Sequence, residues 1–263
     1  MRPARGPLFG VSFRLFLVSL FAFGLLARPA FSGEIEDLFV QGNRYYDNGD
    51  YENAAKEYQK ILDRGIHNSE VYFNLGNSFY KLNKLGGAIL NYERALRLNP
   101  NGPDILKNLD FVKSQIVDII PQDEGFLAFV SKKIIDCFSL NELTIALVAL
   151  YLVLSIFVLL LILLRKSLWT RLIKTLCILA AVFLILFGIL FGTRIYLYSF
   201  VKEAVIVKEN VYVRSGPSDS YVSLFEVHEG LKVRIRGTHE DWVQISLSNG
   251  LNGWASKQDL EMI

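Results

Sequence analysis

Two asparagines 34 residues apart, Asn43 and Asn77, offer the plainest chemistry in this sequence. Each has matching neighbours: Glu36, Phe39, Asn43 and Tyr46 in one copy, and Glu70, Phe73, Asn77 and Tyr80 in the next. Amides hydrogen-bond to a peptide backbone, and Phe and Tyr anchor a partner by their rings. This set is fitted to recognition, not to breaking bonds. Repeated residues also serve to stack successive units, but two amides gain little from packing, so binding is the expectation. The residues that could catalyse are dispersed. His67, His228 and His239 have no Cys or carboxylate at metal-ligand spacing, and no Ser-His-Asp or Cys-His set can be assembled around them. Cys137 and Cys177 lack the C-x-x-C spacing of redox and zinc sites. Gly86-Gly87 reads as a turn between helices, not a phosphate-cradling loop. The expectation is a chain without enzymatic activity, cofactor or metal.

The same 34-residue period governs the small and aromatic residues that must position these side chains. Gly42 recurs as Gly76, Ala54 as Ala88 and Tyr58 as Tyr92. A period of this length marks a repeated helix-turn-helix unit. The sequence predicts four amphipathic helices over 35–100, with glycine on the first helix of each pair facing alanine on the second and tyrosine filling the space beside them. The string Tyr72, Leu75, Gly76, Phe79, Ala88, Tyr92, Ala95, Pro100 resembles the tetratricopeptide repeat throughout. The first unit departs from it at Gln41, Ile61 and Ile66. The resemblance puts the eight residues above on a concave binding face. It also makes capture of a free C-terminus doubtful, because Phe39 stands where chaperone-binding relatives carry a carboxylate-clamping lysine. Two repeats are fewer than the roughly three such a stack needs, so 104–119 is expected to be a capping helix.

Composition points to a membrane. The chain is 52% hydrophobic with mean hydropathy +0.31, too apolar for an ordinary soluble domain. Its net charge of +2, without a basic aromatic-studded patch, argues against nucleic acid. Residues 1–32 read as a secretory signal, basic at Arg2, Arg5 and Arg14, apolar over 15–26, with Ala30-Phe31-Ser32 preceding a cut before Gly33; an uncleaved anchor is the alternative. Residues 121–142 are expected to link the domains, with 126–138 either a helix in the membrane interface or one packed on the repeats. Residues 143–164 and 175–193 are uncharged runs long enough to cross a bilayer, and 165–174 between them carries Arg165, Lys166, Arg171 and Lys174, as a cytoplasmic loop does. These signals predict a hairpin in a bacterial inner membrane, with the repeats and the C-terminal domain both extracytoplasmic.

Residues 203–263 change to short β-rich segments separated by Gly216-Pro217, Glu229-Gly230, Asn249-Gly250 and Asn252-Gly253, which favours a small β-barrel. Val211-Tyr212-Val213-Arg214-Ser215-Gly216-Pro217, then Asp241-Trp242-Val243 and Gly253-Trp254, resemble the bacterial SH3 domain. Such domains bind peptides or cell-wall glycopeptide in some families. A groove near Tyr212, Tyr221 and Trp242 is the candidate site, although Trp242 and Trp254 are each read as barrel core. The fold class is therefore multidomain: an all-α repeat pair with a capping helix, a two-helix hairpin, and an all-β SH3-like barrel. This order resembles the E-type proteins of the Bacteroides aerotolerance (Bat) operon. The resemblance implies a membrane adaptor in an envelope complex linked to stress tolerance, with von Willebrand A-domain membrane proteins and a MoxR-type ATPase as partners. The rival reading is a peptidoglycan receptor working through the SH3-like domain.

Overall fold

The computed structural model describes residues 33–120, 130, 133–135, 137–164 and 168–263. The expected signal segment, the linker 121–125, most of 126–138, and Arg165 and Lys166 lie outside these residues.

Five helices form the first unit: α1 (Gly33–Asp47), α2 (Tyr51–Asp63), α3 (Ser69–Lys81), α4 (Leu85–Leu98) and α5 (Pro103–Lys113). Their starts are written locally. Asp50 accepts the Asn53 N–H at the head of α2, Asn68 accepts the Glu70 N–H at the head of α3, and Pro103 opens α5 where its missing N–H costs nothing. Ala54, Tyr58, Ile61, Leu75, Ala88, Tyr92 and Ala95 form a fully buried core. A Cβ added to Gly42 would lie 2.7 Å from the Tyr58 ring, and one on Gly76 would lie 2.8 Å from the Tyr92 ring. Glycine is thus what lets each first helix close on the tyrosine of its partner. The capping helix ends at Lys113, six residues before the expected end. The chain beyond it runs to the β domain instead: Ile116 packs in the helical core, Ile120 packs against the β core, and the Asp118 carboxylate accepts the His228 N–H.

Helices α6 (Leu140–Leu163) and α7 (Thr170–Phe200) are antiparallel neighbours, both long and apolar enough to cross a bilayer by length and composition. Ser139 and Glu142 form a reciprocal capping box that starts α6. Helix α7 already contains Arg171 and Lys174, expected in a loop, and continues through Tyr196 and Tyr198.

The C-terminal unit is one antiparallel sheet: β1 (Glu203–Ile206), β2 (Asn210–Arg214), β3 (Ser223–His228), β4 (Lys232–His239), β5 (Trp242–Ser246), β6 (Asn252–Ser256) and β7 (Leu260–Met262), in the order β3-β2-β6-β5-β4-β1-β7. Strands β3 and β7 are not paired, so the SH3-like barrel is left open between them. Its interior is Ala204, Ile206, Val211, Val213, Val227, Val233, Val243, Ile245 and Ala255.

The helical and β units are docked. Val205 is buried in the helical core, with Val207 and Ile263 packed against it. A Cβ on Gly86 at the head of α4 would lie 2.6 Å from the Ile206 carbonyl oxygen, so the backbones meet without an intervening side chain.

Candidate functional site

The two asparagines are held in the same way. Asn43 Oδ1 on α1 accepts from the Tyr58 hydroxyl (2.6 Å) and from Asn74 Nδ2 (3.2 Å). One repeat later, Asn77 Oδ1 on α3 accepts from the Tyr92 hydroxyl (2.7 Å) and from Asn108 Nδ2 (3.0 Å). Burial pushes both phenols well above their ordinary pKa; Asp47 and Tyr46 add to this at Tyr58, while the Asn108 hydrogen bond opposes it at Tyr92. Both hydroxyls therefore stay protonated and donate. With each Oδ1 so occupied, the Nδ2 groups of Asn43 and Asn77 meet no acceptor among the described residues. An open pocket of about 250 Å³ is lined by Asn43, Tyr46, Asp47, Tyr58, Asn74 and Asn77.

Of the eight expected residues, Asn43, Tyr46 and Asn77 line this pocket. Phe39 and Phe73 instead lean on the buried tyrosines, with ring centroids 6.0 Å from Tyr58 and 5.9 Å from Tyr92. Tyr46 meets Tyr51 edge-on and Tyr80 meets Phe111 edge-on, which fixes both rings at the rim. Glu36 and Glu70 are exposed in the first turns of α1 and α3, where carboxylates favour helix N-termini. The sequence reading missed Asn74 and Asn108. They too stand 34 residues apart, and that was the signal available.

On the β domain, Tyr212 and Tyr221 are exposed (58% and 48%), and the three groove candidates come from three different places in the sheet. Tyr221 belongs to the loop 215–222, which Arg214 holds by donating to the carbonyls of Asp219 and Tyr221. Trp242 lies on β5, separated from β2 by β6. The expectation that Trp242 and Trp254 are barrel core is corrected. Both are half-buried and alternate with inward Val243, Ile245, Gly253 and Ala255, which already fill the interior. Strand alternation puts Tyr212, Arg214, Trp242, Gln244 and Trp254 together on the outward face.

Between the units lies a chain of charges. Glu93 on α4 pairs with Lys113 on α5 (2.7 Å) and with Lys232 on β4 (3.0 Å), and Lys232 also pairs with Glu203 on β1 (2.9 Å). Burial alone would raise the Glu93 carboxyl, but Lys232 and Lys113 outweigh it and bring it down to about 2. Burial likewise opposes the charge on Lys232, and Glu93 and Glu203 overcome it and hold its pKa up. Gly86 N–H donates to Glu229 Oε1 beside this chain. No group of three or more His, Cys, Asp or Glu side chains able to hold a metal occurs among the described residues.

Residues 39–103 match the tetratricopeptide repeat family model, and residues 209–261 match the bacterial SH3 domain model. A Bacillus subtilis (strain 168) protein described as "Putative N-acetylmuramoyl-L-alanine amidase YrvJ" is 46% identical over 52 residues, within the SH3 part of this chain. That match covers 20% of this chain and 10% of the relative, so the chain spans about a tenth of that protein's length. In its domains, then, this chain is a tetratricopeptide repeat segment and a bacterial SH3 domain, two families of binding modules, with two apolar helices between them.

Proposed function

We propose that this chain is a membrane-anchored adaptor without catalytic activity, which holds protein partners through its repeat face on the outer side of a bacterial inner membrane. The observation that carries the reading is the duplicated Asn–Tyr arrangement, with both asparagines lining an open pocket. The hairpin is the anchor, and both folded units lie on one side of the bilayer. Three contacts support this. Arg97 on α4 donates to the Val201 carbonyl, where α7 ends; Asn101 donates to the Cys137 carbonyl, just before α6 begins; and Lys232 joins Glu93 across the domains. The resemblance to the aerotolerance-operon proteins makes von Willebrand A-domain membrane proteins and a MoxR-type ATPase the partners to seek, in an envelope complex linked to stress.

The test is a crosslinking pull-down from membranes with a tag at Ile263, comparing wild type with Asn43→Ala/Asn77→Ala. Recovery of von Willebrand A-type proteins that falls in the variant is the expected result. Equal recovery with a folded variant removes the repeat face from the mechanism.

A second reading has its own support. Similarity of the SH3 part to an amidase-family protein, and the outward Tyr212, Trp242 and Trp254, suit a peptidoglycan ligand. Titrating the full chain with muropeptides decides it, and absence of saturable binding ends it.

A further inference from the structure

We infer that the pocket of the first repeat takes a cationic side chain, the lysine or arginine of a partner's peptide segment. This rests on the binding face proposed above and names the chemistry of its ligand. The lining is Asn43, Tyr46, Asp47, Tyr58, Asn74 and Asn77, so its one charged group is a carboxylate and no cation answers it. The Asp47 carboxylate has no ion pair or hydrogen bond among the described residues. Arg44, the cation of the same helical turn, lines a separate cavity with Asp37 and Val40. Asn74 donates through Nδ2 to Asn43, which leaves its Oδ1 as a second acceptor at the pocket. Tyr46, fixed edge-on by Tyr51, adds an aromatic ring to the lining. A carboxylate, an amide oxygen and a ring are the groups that bind an ammonium or a guanidinium. The Nδ2 groups of Asn43 and Asn77 remain for backbone carbonyls of the segment that carries the cation.

The place of Asp47 in its helix sets it apart from a residue chosen for stability. It is the last residue of α1, where the helix dipole gathers negative charge and a carboxylate is disfavoured. One repeat later the equivalent residue is Lys81, in the last turn of α3, where a cation is favoured. The two units keep Asn43 and Asn77, Tyr46 and Tyr80, Tyr58 and Tyr92, and Asn74 and Asn108 alike, and reverse the charge beside them. Helix electrostatics therefore accounts for Lys81 and not for Asp47. The field of Asp47 falls on the lining. Burial is the main reason that the Tyr58 and Tyr46 phenols sit above their ordinary pKa, and Asp47 adds to it at Tyr58 and, after Tyr51, at Tyr46. A cation in the pocket relieves the unfavourable charge at the end of α1. Lys81 leaves the second repeat unsuited to one, so the groove has a cation-accepting end.

The experiment uses the full chain in an uncharged detergent, with fluorescein-labelled Gly/Ser peptides that differ only at a central Arg, Lys, Met or Glu, read by fluorescence polarisation. Saturable binding of the Arg and Lys peptides, with the Met and Glu peptides weaker by roughly fivefold or more, is the expected result. Asp47→Asn should erase that preference. Asp47 is exposed at the end of its helix, so this variant keeps the fold, which helical circular dichroism checks. Tyr46→Leu removes the ring and should weaken the Arg peptide with Asp47 in place. Glu52→Gln removes an exposed carboxylate of α2 outside the pocket and should change nothing. Arg-peptide binding that is absent, or that survives Asp47→Asn, overturns the proposal. So does binding that falls equally in Glu52→Gln, since that is the signature of general surface charge. If the Arg and Lys preference fails while crosslinked partner recovery still depends on Asn43 and Asn77, the ligand chemistry falls and the adaptor reading stands.

Discussion

At the scale of single residues, the repeat unit depends on a contact between a glycine and a ring. Gly76 has Tyr92 Cδ1 2.8 Å and the Ala88 carbonyl oxygen 3.3 Å from where a Cβ would sit. The ring cannot swing aside, because its hydroxyl is fixed on Asn77 and its body is almost wholly buried. Gly76→Ala is therefore expected to destabilise the helical unit by about 1–3 kcal/mol, the usual cost of overpacking a filled core, and to disturb the Tyr92–Asn77 hydrogen bond with it. Urea unfolding followed by far-ultraviolet circular dichroism measures the first effect. The second appears as a loss of binding at the repeat face that exceeds the loss of helix. An unchanged unfolding midpoint would mean that α3 and α4 can separate freely, contrary to the packing described.

At the scale of elements, the pairing of α4 with β1 and β4 is the feature least visible in the sequence. Helix and strand types were legible because periodicity and turn residues report local structure. The glycine, alanine and tyrosine recurrences located the helices, and Gly-Pro and Asn-Gly pairs bounded the strands. The docking was not legible, because Glu93, Lys113, Glu203 and Lys232 have no mutual spacing that marks them as a group. The early end of α5 has the same origin, since Asp118 and Ile120 follow the β domain and not a helical period. Trp242 and Trp254 were misread because aromatic residues commonly fill a small core, whereas this core is closed by Val, Ile and Ala. The charge chain carries a pH prediction. Glu93 titrates at about 2 in the folded chain against the ordinary 4.5. Its contribution, on the order of 3 kcal/mol, is complete above about pH 5 and is lost as pH falls toward 2. Lys232 behaves oppositely: its raised pKa contributes below its ordinary value of 10.5 and is lost at more alkaline pH. The docked state is expected to be weakest at both extremes. Glu93→Gln should flatten the acidic limb and, by removing one of the two carboxylates that hold up Lys232, make the alkaline limb shallower too, as read by hydrogen exchange at Val205 and Ile206. A wild-type protection profile that is level from pH 5 to pH 2 would remove Glu93 from the docking.

At the scale of the whole molecule, one contact set bears on the proposed path of the chain through a membrane. The end of α4 and the turn after it hold the start of one apolar helix and the end of the other: Asn101 bonds to Cys137, while Arg97 bonds to Val201 and lies 5.3 Å from the Tyr198 ring centroid. A chain that crosses a bilayer once between the repeats and the SH3 domain would put these units on opposite faces, and none of these bonds could form together with the Glu93–Lys232 pair. Two crossings leave them together. Cys137, exposed before α6, and an added thiol at Ser220→Cys in the SH3 loop should both react with a membrane-impermeant maleimide in intact spheroplasts. Leu168→Cys, at the fully exposed turn between the two helices, should react only after permeabilisation. The introduced sites are read in a Cys137→Ser/Cys177→Ser background. Labelling of Cys137 and of the thiol at position 220 from opposite sides would make the interdomain charge chain impossible in the membrane. Labelling of all three from one side would exclude the hairpin while leaving the domain contacts intact, so the result separates the anchor from the docking it is thought to serve.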